Sequence, residues 1–224
     1  MRLDRKGGRP MKKGCILCLL ISVISLPLIA QNIIYSNLKE LLTQHGDTTA
    51  VLRVEKRSRN QIVLTGGADY RITAGDDESM CRRLKKRCFA VRDEKGNLYL
   101  NCRKLRYKKL RFGAWYAPAV QLGKNIYFCA MPLGSVIGGN FVEEDDVKLG
   151  GNIGDALAAS SLVTKRVCYE LNGETGKVDF LGKDRMLQLL KNYPELKQAY
   201  LKDDSQEAKH TFKYLLELQN NQKK

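Results

Sequence analysis

Apolar and polar positions alternate in short runs along most of the chain. They change to a helical period near its end. Asn37–Gln44 (NLKELLTQ) predicts a short helix, with Asn37 as its cap and Glu40 three residues on, the spacing of a capping box. Thr49–Lys56 and Gln61–Thr65 are apolar and β-branched around residues 58–60, which predicts a hairpin. Tyr70–Thr73 predicts a further short strand, and Ser79–Arg87 a helix with Met80 and Leu84 on one side. Cys88–Arg92 and Leu98–Cys102 flank a five-residue turn at 93–97. Pairing Arg92 with Leu98 there sets Ala90 opposite Leu100. Ile126–Met131 (IYFCAM) predicts a buried strand with Cys129 in the core. Arg166–Leu171 and Gly176–Leu181 predict another hairpin, with Tyr169 against Val178 and Val167 against Phe180.

The glycine-rich stretch Pro132–Gly154 reads as loop and turns, and Asp155–Ser161 as a small-residue helix. Residues 183–219 form a helical part. Its first helix carries Met186, Leu187, Leu190 and Tyr193, and Pro194 interrupts it. Asp204 or Ser205 caps a last helix with Ala208, Phe212, Leu215 and Leu216 on one face, and the polar NNQKK end is expected to fray. Strands in hairpins followed by gathered helices predict an α+β domain with a mostly antiparallel sheet.

The start of the chain has a different character. Cys15–Ala30 (CILCLLISVISLPLIA) holds no charge over 16 residues and follows Lys12 and Lys13. A basic flank, a short apolar core and a small residue at the exit are the parts of a secretory signal peptide, here residues 1–30 with Met11 as an alternative start. An uncleaved anchor is the alternative reading, although the stretch is shorter than the roughly 20 residues of a membrane-spanning helix. Residues 31–224 then make one mature domain, periplasmic or secreted.

Charge sharpens the picture. The 224 residues carry 39 Lys+Arg against 24 Asp+Glu, a net +15. Residues 1–30 hold five of those charges, and residues 82–111 alone net +11, so the rest of the domain is nearly neutral. Besides Lys95 in the turn, the basic residues are Arg82, Arg83, Lys85, Lys86, Arg87 and Arg92, then Arg103, Lys104, Arg106, Lys108, Lys109 and Arg111. Lys104, Arg106 and Lys108 would share one strand face, with Leu105 and Tyr107 on the other. Phe112, Trp115 and Tyr116 follow. Cations beside aromatics suit an anionic ligand. After export, that means lipopolysaccharide, a phospholipid headgroup, an acidic glycan or extracellular nucleic acid. The opposing reading is a solvated basic surface over core aromatics.

Seven Cys are present, five of them after residue 30. An exported chain permits disulfides. In the register given above Cys88 falls opposite Cys102, which makes them the candidate pair. A reduced pair, or a register one residue off, is the alternative. With only His45 and His210 as imidazoles, and no nucleophile elbow, zinc-protease or phosphate-loop motif, no catalytic set, metal site or cofactor is expected. Carboxylates such as Asp69, Glu170 and Asp179 remain candidates for hydrolysis.

Several stretches resemble a family of uncharacterised exported proteins from Bacteroidota: NLKELLTQHGDTTAVLRVEKRSRNQIVLTGGADYRI, KKRCFAVR, NCRKLRYKKLRFGAWYAPA, IYFCAMPLGS and YELNGETGKVDFLGKDRM. The resemblance covers most of residues 35–200. It implies a Gram-negative envelope or secreted location and lends no catalytic or binding residue. The expectation is an exported, non-enzymatic domain that uses 82–111 to bind an anionic partner. The alternatives are an exported hydrolase, or a structural subunit that docks a protein partner on Phe212, Leu215 and Leu216.

Overall fold

Side-chain alternation along antiparallel strands decides how this chain layers. A computed structural model describes residues 31–49, 51–58, 60–62, 67–108, 110–130, 166–203 and 208–222. The predicted loop at 132–154, the helix at 155–161 and the caps at Asp204 and Ser205 lie outside the described residues. So does the leader.

The strands are β1 (Asn32–Tyr35), β2 (Asp47–Thr49), β3 (Arg53–Lys56), β4 (Tyr70–Thr73), β5 (Ala90–Arg92), β6 (Leu98–Asn101), β7 (Arg106–Tyr107), β8 (Leu110–Arg111), β9 (Tyr116–Leu122), β10 (Asn125–Ala130), β11 (Val167–Leu171) and β12 (Val178–Phe180). The helices are α1 (Leu38–Leu42), α2 (Glu78–Lys86), α3 (Lys183–Leu189), α4 (Pro194–Lys202) and α5 (Ala208–Gln222). The main sheet runs β12-β11-β10-β9-β6-β5-β1-β2, with every neighbour antiparallel. The β3–β4 hairpin joins it where Tyr70 pairs with Tyr116. The protein is α+β, a mostly antiparallel sheet with helices at its C-terminal end.

Successive side chains point to opposite faces. One face carries Tyr35, Ala90, Leu98, Leu100, Ala119, Phe128 and Tyr169. Leu105, Tyr107 and Phe112, from the segment around the β7–β8 hairpin, close over it. Phe112 meets Tyr169 edge-on at 4.7 Å and Phe128 at 5.4 Å, a favoured aromatic geometry. The other face is covered in two parts. Ile34, Val91, Tyr99 and Tyr116 lie under Leu84 of α2. Val120, Leu122, Tyr127 and Cys129 lie under Met186 and Leu190, at α3, and under Ala208, Tyr214, Leu215 and Leu218 of α5.

Local chemistry explains most of the elements. The cap at α1 forms, with Glu40 reaching back one residue further than in a regular capping box: Asn37 Oδ1 accepts from Glu40 N at 2.9 Å, and Glu40 Oε2 accepts from Ser36 N at 2.7 Å. Pro194 starts α4 at a position where its missing N–H costs nothing. The β5–β6 hairpin takes the expected register, Arg92 with Leu98 and Ala90 with Leu100.

Three expectations need correction. β3 pairs with β4, and residues 60–62 are helical where the second strand of a 49–65 hairpin was expected to begin; residues 63–65 lie outside the described residues. The β11–β12 register is shifted by two, Tyr169 with Phe180 and Leu171 with Val178. There the turn moves along by one residue, to 173–176: Asn172 N donates to Lys177 O, and Gly176 adopts φ +67°, a left-handed conformation glycine tolerates. The last helix continues through Asn220 and Asn221 to Gln222, where fraying was expected; residues 223–224 lie outside the described residues.

The candidate disulfide Cys88–Cys102 does not form; both are free thiols. Phe89 and Ala90 both pack on the first face, so the alternation slips by one residue at the start of β5. Cys88 therefore sits in the α2-side core, and Cys102 opens a 3-10 turn in the core of the opposite face. Burial pushes the thiol of Cys88 up to about 11 and that of Cys102 up to about 12, so both stay protonated at neutral pH. The disulfide joins Cys129 to Cys168 instead. These residues are direct partners in the β10–β11 register, with Cα atoms 4.2 Å apart. They lie beneath the first residue of α5.

Candidate anion-binding site

The basic stretch at 82–111 is continuous in sequence but divided in space. Arg82, Lys85, Lys86 and Arg87 are exposed on and just after α2, above one face of the sheet. Arg103, Lys104, Arg106, Lys108 and Arg111 are exposed around the 3-10 turn and the β7–β8 hairpin, which closes the other face. Lys109 lies outside the described residues. The predicted alternation in RKLRYKK holds, since Leu105 and Tyr107 are buried while Lys104, Arg106 and Lys108 point out. Two of the cations are occupied internally. Arg83 pairs with Asp47 and donates to Ser36 Oγ at 3.3 Å. Arg92 donates to Gly96 O at 3.2 Å and Gln44 Oε1 at 3.3 Å.

Between α2, β4 and the start of β9 lies a cleft of about 120 Å3. Arg71, Thr73, Cys81, Lys85, Asn101 and Trp115 are among its lining residues. Packing and hydrogen bonds fix its walls. Leu84 buries α2 on the sheet, Tyr116 donates through its hydroxyl to Leu84 O at 2.7 Å, and Asn101 Nδ2 donates to Leu84 O and Cys88 O at 3.1 and 2.9 Å. The carbonyls at the end of α2, which have no partner within the helix, are thus satisfied by the sheet. Cys81 and Lys85 are four apart on one face of α2. The Cys81 sulfur accepts from Ala74 N at 3.3 Å.

Trp115 occupies φ +79°, a conformation that costs a non-glycine residue on the order of 1–3 kcal/mol. Its surroundings hold it there. Cys102 N donates to Trp115 O at 3.0 Å and Ala68 N to Ala114 O at 2.9 Å. Gly67, at φ +83°, comes so close that a Cβ on it would stand 2.3 Å from Ala114 O. The Arg57 and Arg71 guanidinium carbons lie 5.3 and 5.7 Å from the Trp115 ring centroid, within cation–π range.

The cleft brings together Lys85 from the expected patch and Trp115 from the expected aromatic group. Phe112 and Tyr116 are core residues. Arg71 was absent from the expected set. Its outward position was readable from the alternation in Tyr70–Thr73, but its neighbours were not, because they come from distant parts of the chain. Glu55 stands opposite Arg71 in the β3–β4 register. Even so, neither Arg71 nor Lys85 forms an ion pair among the described residues.

The carboxylates considered for hydrolysis are elsewhere. Asp69 is held by Arg166, whose Nε lies 2.7 and 2.6 Å from its two oxygens. Glu170 accepts from Arg185 Nε and Nη2, both at 2.8 Å, from Asn125 at 2.6 Å and from the Tyr127 hydroxyl at 3.0 Å. Burial pushes Glu170 up, but the bonds from Arg185, Tyr127 and Asn125 outweigh it and hold the carboxyl below its ordinary value. His210 pairs with Asp203 at 2.9 Å. The C-terminal docking face also differs from expectation: Leu215 is fully buried in the protein's own core, Phe212 packs against that core, and of the three only Leu216 is exposed. Among the described residues no helix is long and apolar enough to cross a membrane, and no group of three or more His, Cys, Asp or Glu could hold a metal ion.

Residues 33–222 match DUF6563, a family of unknown function, and the chain belongs to that family. Neither the curated proteins nor the solved structures yield a match.

Proposed function

We propose that the protein is an exported, non-enzymatic binding domain that docks on an anionic component of the Gram-negative envelope through the α2 side of its sheet. The observation that carries this reading is the cleft in which Arg71 and Lys85, without a carboxylate partner, flank a Trp115 held in an unfavourable backbone conformation. Unpaired cations beside an aromatic ring on a rigid sheet are suited to binding an anion. Binding is favoured over hydrolysis because Asp69 and Glu170 are each neutralised by an arginine and neither lines the cleft. Export is supported by the uncharged leader segment Cys15–Ala30 and by the Cys129–Cys168 disulfide, a bond typical of oxidising compartments. The exported Bacteroidota proteins that the sequence resembles point the same way.

Retention on immobilised lipopolysaccharide and on heparin, eluted with a salt gradient, tests the reading. Changing Arg82, Lys85, Lys86 and Arg87 together to Gln should bring elution to markedly lower salt, since polyanion binding is salt-dependent. The matching change of Arg103, Lys104, Arg106 and Lys108, on the other side of the sheet, should have the smaller effect. Wild-type elution of the α2 variant would overturn the proposal.

A further inference from the structure

We infer that the cleft between α2, β4 and Trp115 is a discrete site for the dianionic end of a phosphate monoester, with Arg71 and Lys85 as its two charge contacts. This deepens the reading above and rests on it for the anionic character of the ligand. Three features narrow the ligand.

The first is size. At about 120 Å3 the cleft is large enough to seat a phosphoryl group between its walls. The second is charge. Arg71 and Lys85 bring two positive charges from separate elements, with no carboxylate among the cleft's lining residues. A phosphate monoester carries about −1.5 to −2 at neutral pH, whereas a carboxylate or a phosphodiester carries only one negative charge. The third is geometry. Arg71 leans toward the Trp115 ring, and stacking a guanidinium reduces its freedom and presents its fork of donors in a fixed direction, which matches paired phosphate oxygens. Lys85 acts as a point charge from the opposite wall, and Thr73 adds a hydroxyl to the lining. The backbone strain at Trp115, the close approach of Gly67 and the buried Arg57 on the same ring keep this shelf rigid before any ligand arrives. Rigidity of that kind lowers the cost of binding.

Trp115 is the only tryptophan in the chain, so its fluorescence reports on the cleft directly. The full chain is titrated with inorganic phosphate, with glucose 1-phosphate and with phosphatidylcholine vesicles containing phosphatidic acid. Fluorescence and calorimetry are read at ionic strength matched with chloride. A saturable one-to-one response to inorganic phosphate or glucose 1-phosphate is expected. A preference for glucose 1-phosphate would assign the site to a soluble phosphorylated ligand, and added strength on vesicles to a lipid-borne phosphate. Arg71→Gln and Lys85→Gln should each weaken binding about tenfold or more, the loss expected for one charge-assisted contact. Lys108→Gln, beyond the sheet and over Tyr107, should leave it unchanged. A response no greater than that to chloride, or one that both cleft variants retain, overturns the proposal. So does a response to vesicles alone, which would place binding on the outer basic surface and leave the broader anion-binding reading standing.

Discussion

Glu170 shows how a half-buried charge is tolerated here. It projects from β11, flanked by Asn125 and Tyr127 of β10 and by Arg185 of α3, so four hydrogen bonds tie the helix to two strands. Its folded carboxyl titrates below its ordinary value of 4.5. A depressed carboxylate contributes stability that is present above the unfolded value and lost as pH falls through the folded one. Glu170→Gln should therefore lower the thermal midpoint at pH 7, and the gap to wild type should narrow as pH drops below about 4.5. Calorimetric scans across pH 3–7 check this, and a constant gap would show that the ion pair adds nothing beyond packing. The residue scale is also where the sequence was most deceptive. The basic residues of 82–111 could be counted, but not which of them fold inward. Arg83 and Arg92 are engaged by Asp47 and Gln44, partners more than 30 residues away.

At the scale of elements, what could be read was whatever the chain decides locally. The β5–β6 register follows from five turn residues at 93–97, and the α1 cap from Asn37 and Glu40. The pairing of β3 with β4 was not readable, because 13 residues intervene and the apolar run at 61–65 lies nearer in sequence. The two-residue slip in β11–β12 turns on the left-handed Gly176. In α5, both Leu215 and Leu216 fit a helical stripe, yet only the position of the sheet beneath decides which is covered. Leu215→Ala should cost about 2–5 kcal/mol of stability in urea unfolding, as core truncations do. Leu216→Ala, at a site 41% exposed, should stay within about 0.5 kcal/mol. Equal losses at the two positions would mean the helix is rotated from the orientation described.

For the whole molecule, the sheet converts one run of sequence into two separated basic surfaces, and its long-range register sets the disulfide. Cys88 and Cys102 looked paired because they are close in sequence and share a hairpin. Cys129 and Cys168 are 39 residues apart and meet only through the β10–β11 register. A chain-entropy argument assigns such a loop about 4 kcal/mol of stabilisation. Urea unfolding in dithiothreitol should therefore begin from a stability lower by about that amount than in oxidising buffer. Peptide mapping without reductant should find 129 joined to 168, with 88 and 102 as free thiols. A linked 88–102 peptide would refute the arrangement.

The same bond has a consequence for the integrity of the chain. It closes a covalent ring that includes residues 130 to 167. A protease that cuts once anywhere inside that ring leaves two polypeptides that still travel as one species. One of them carries β10 and ends beyond it, and the other begins before β11. The nicked protein keeps its intact mass, plus one water, until a reductant is added, and only then do the two halves separate. Wherever proteases act and reductants are scarce, a single cut there need not cost the molecule its sheet.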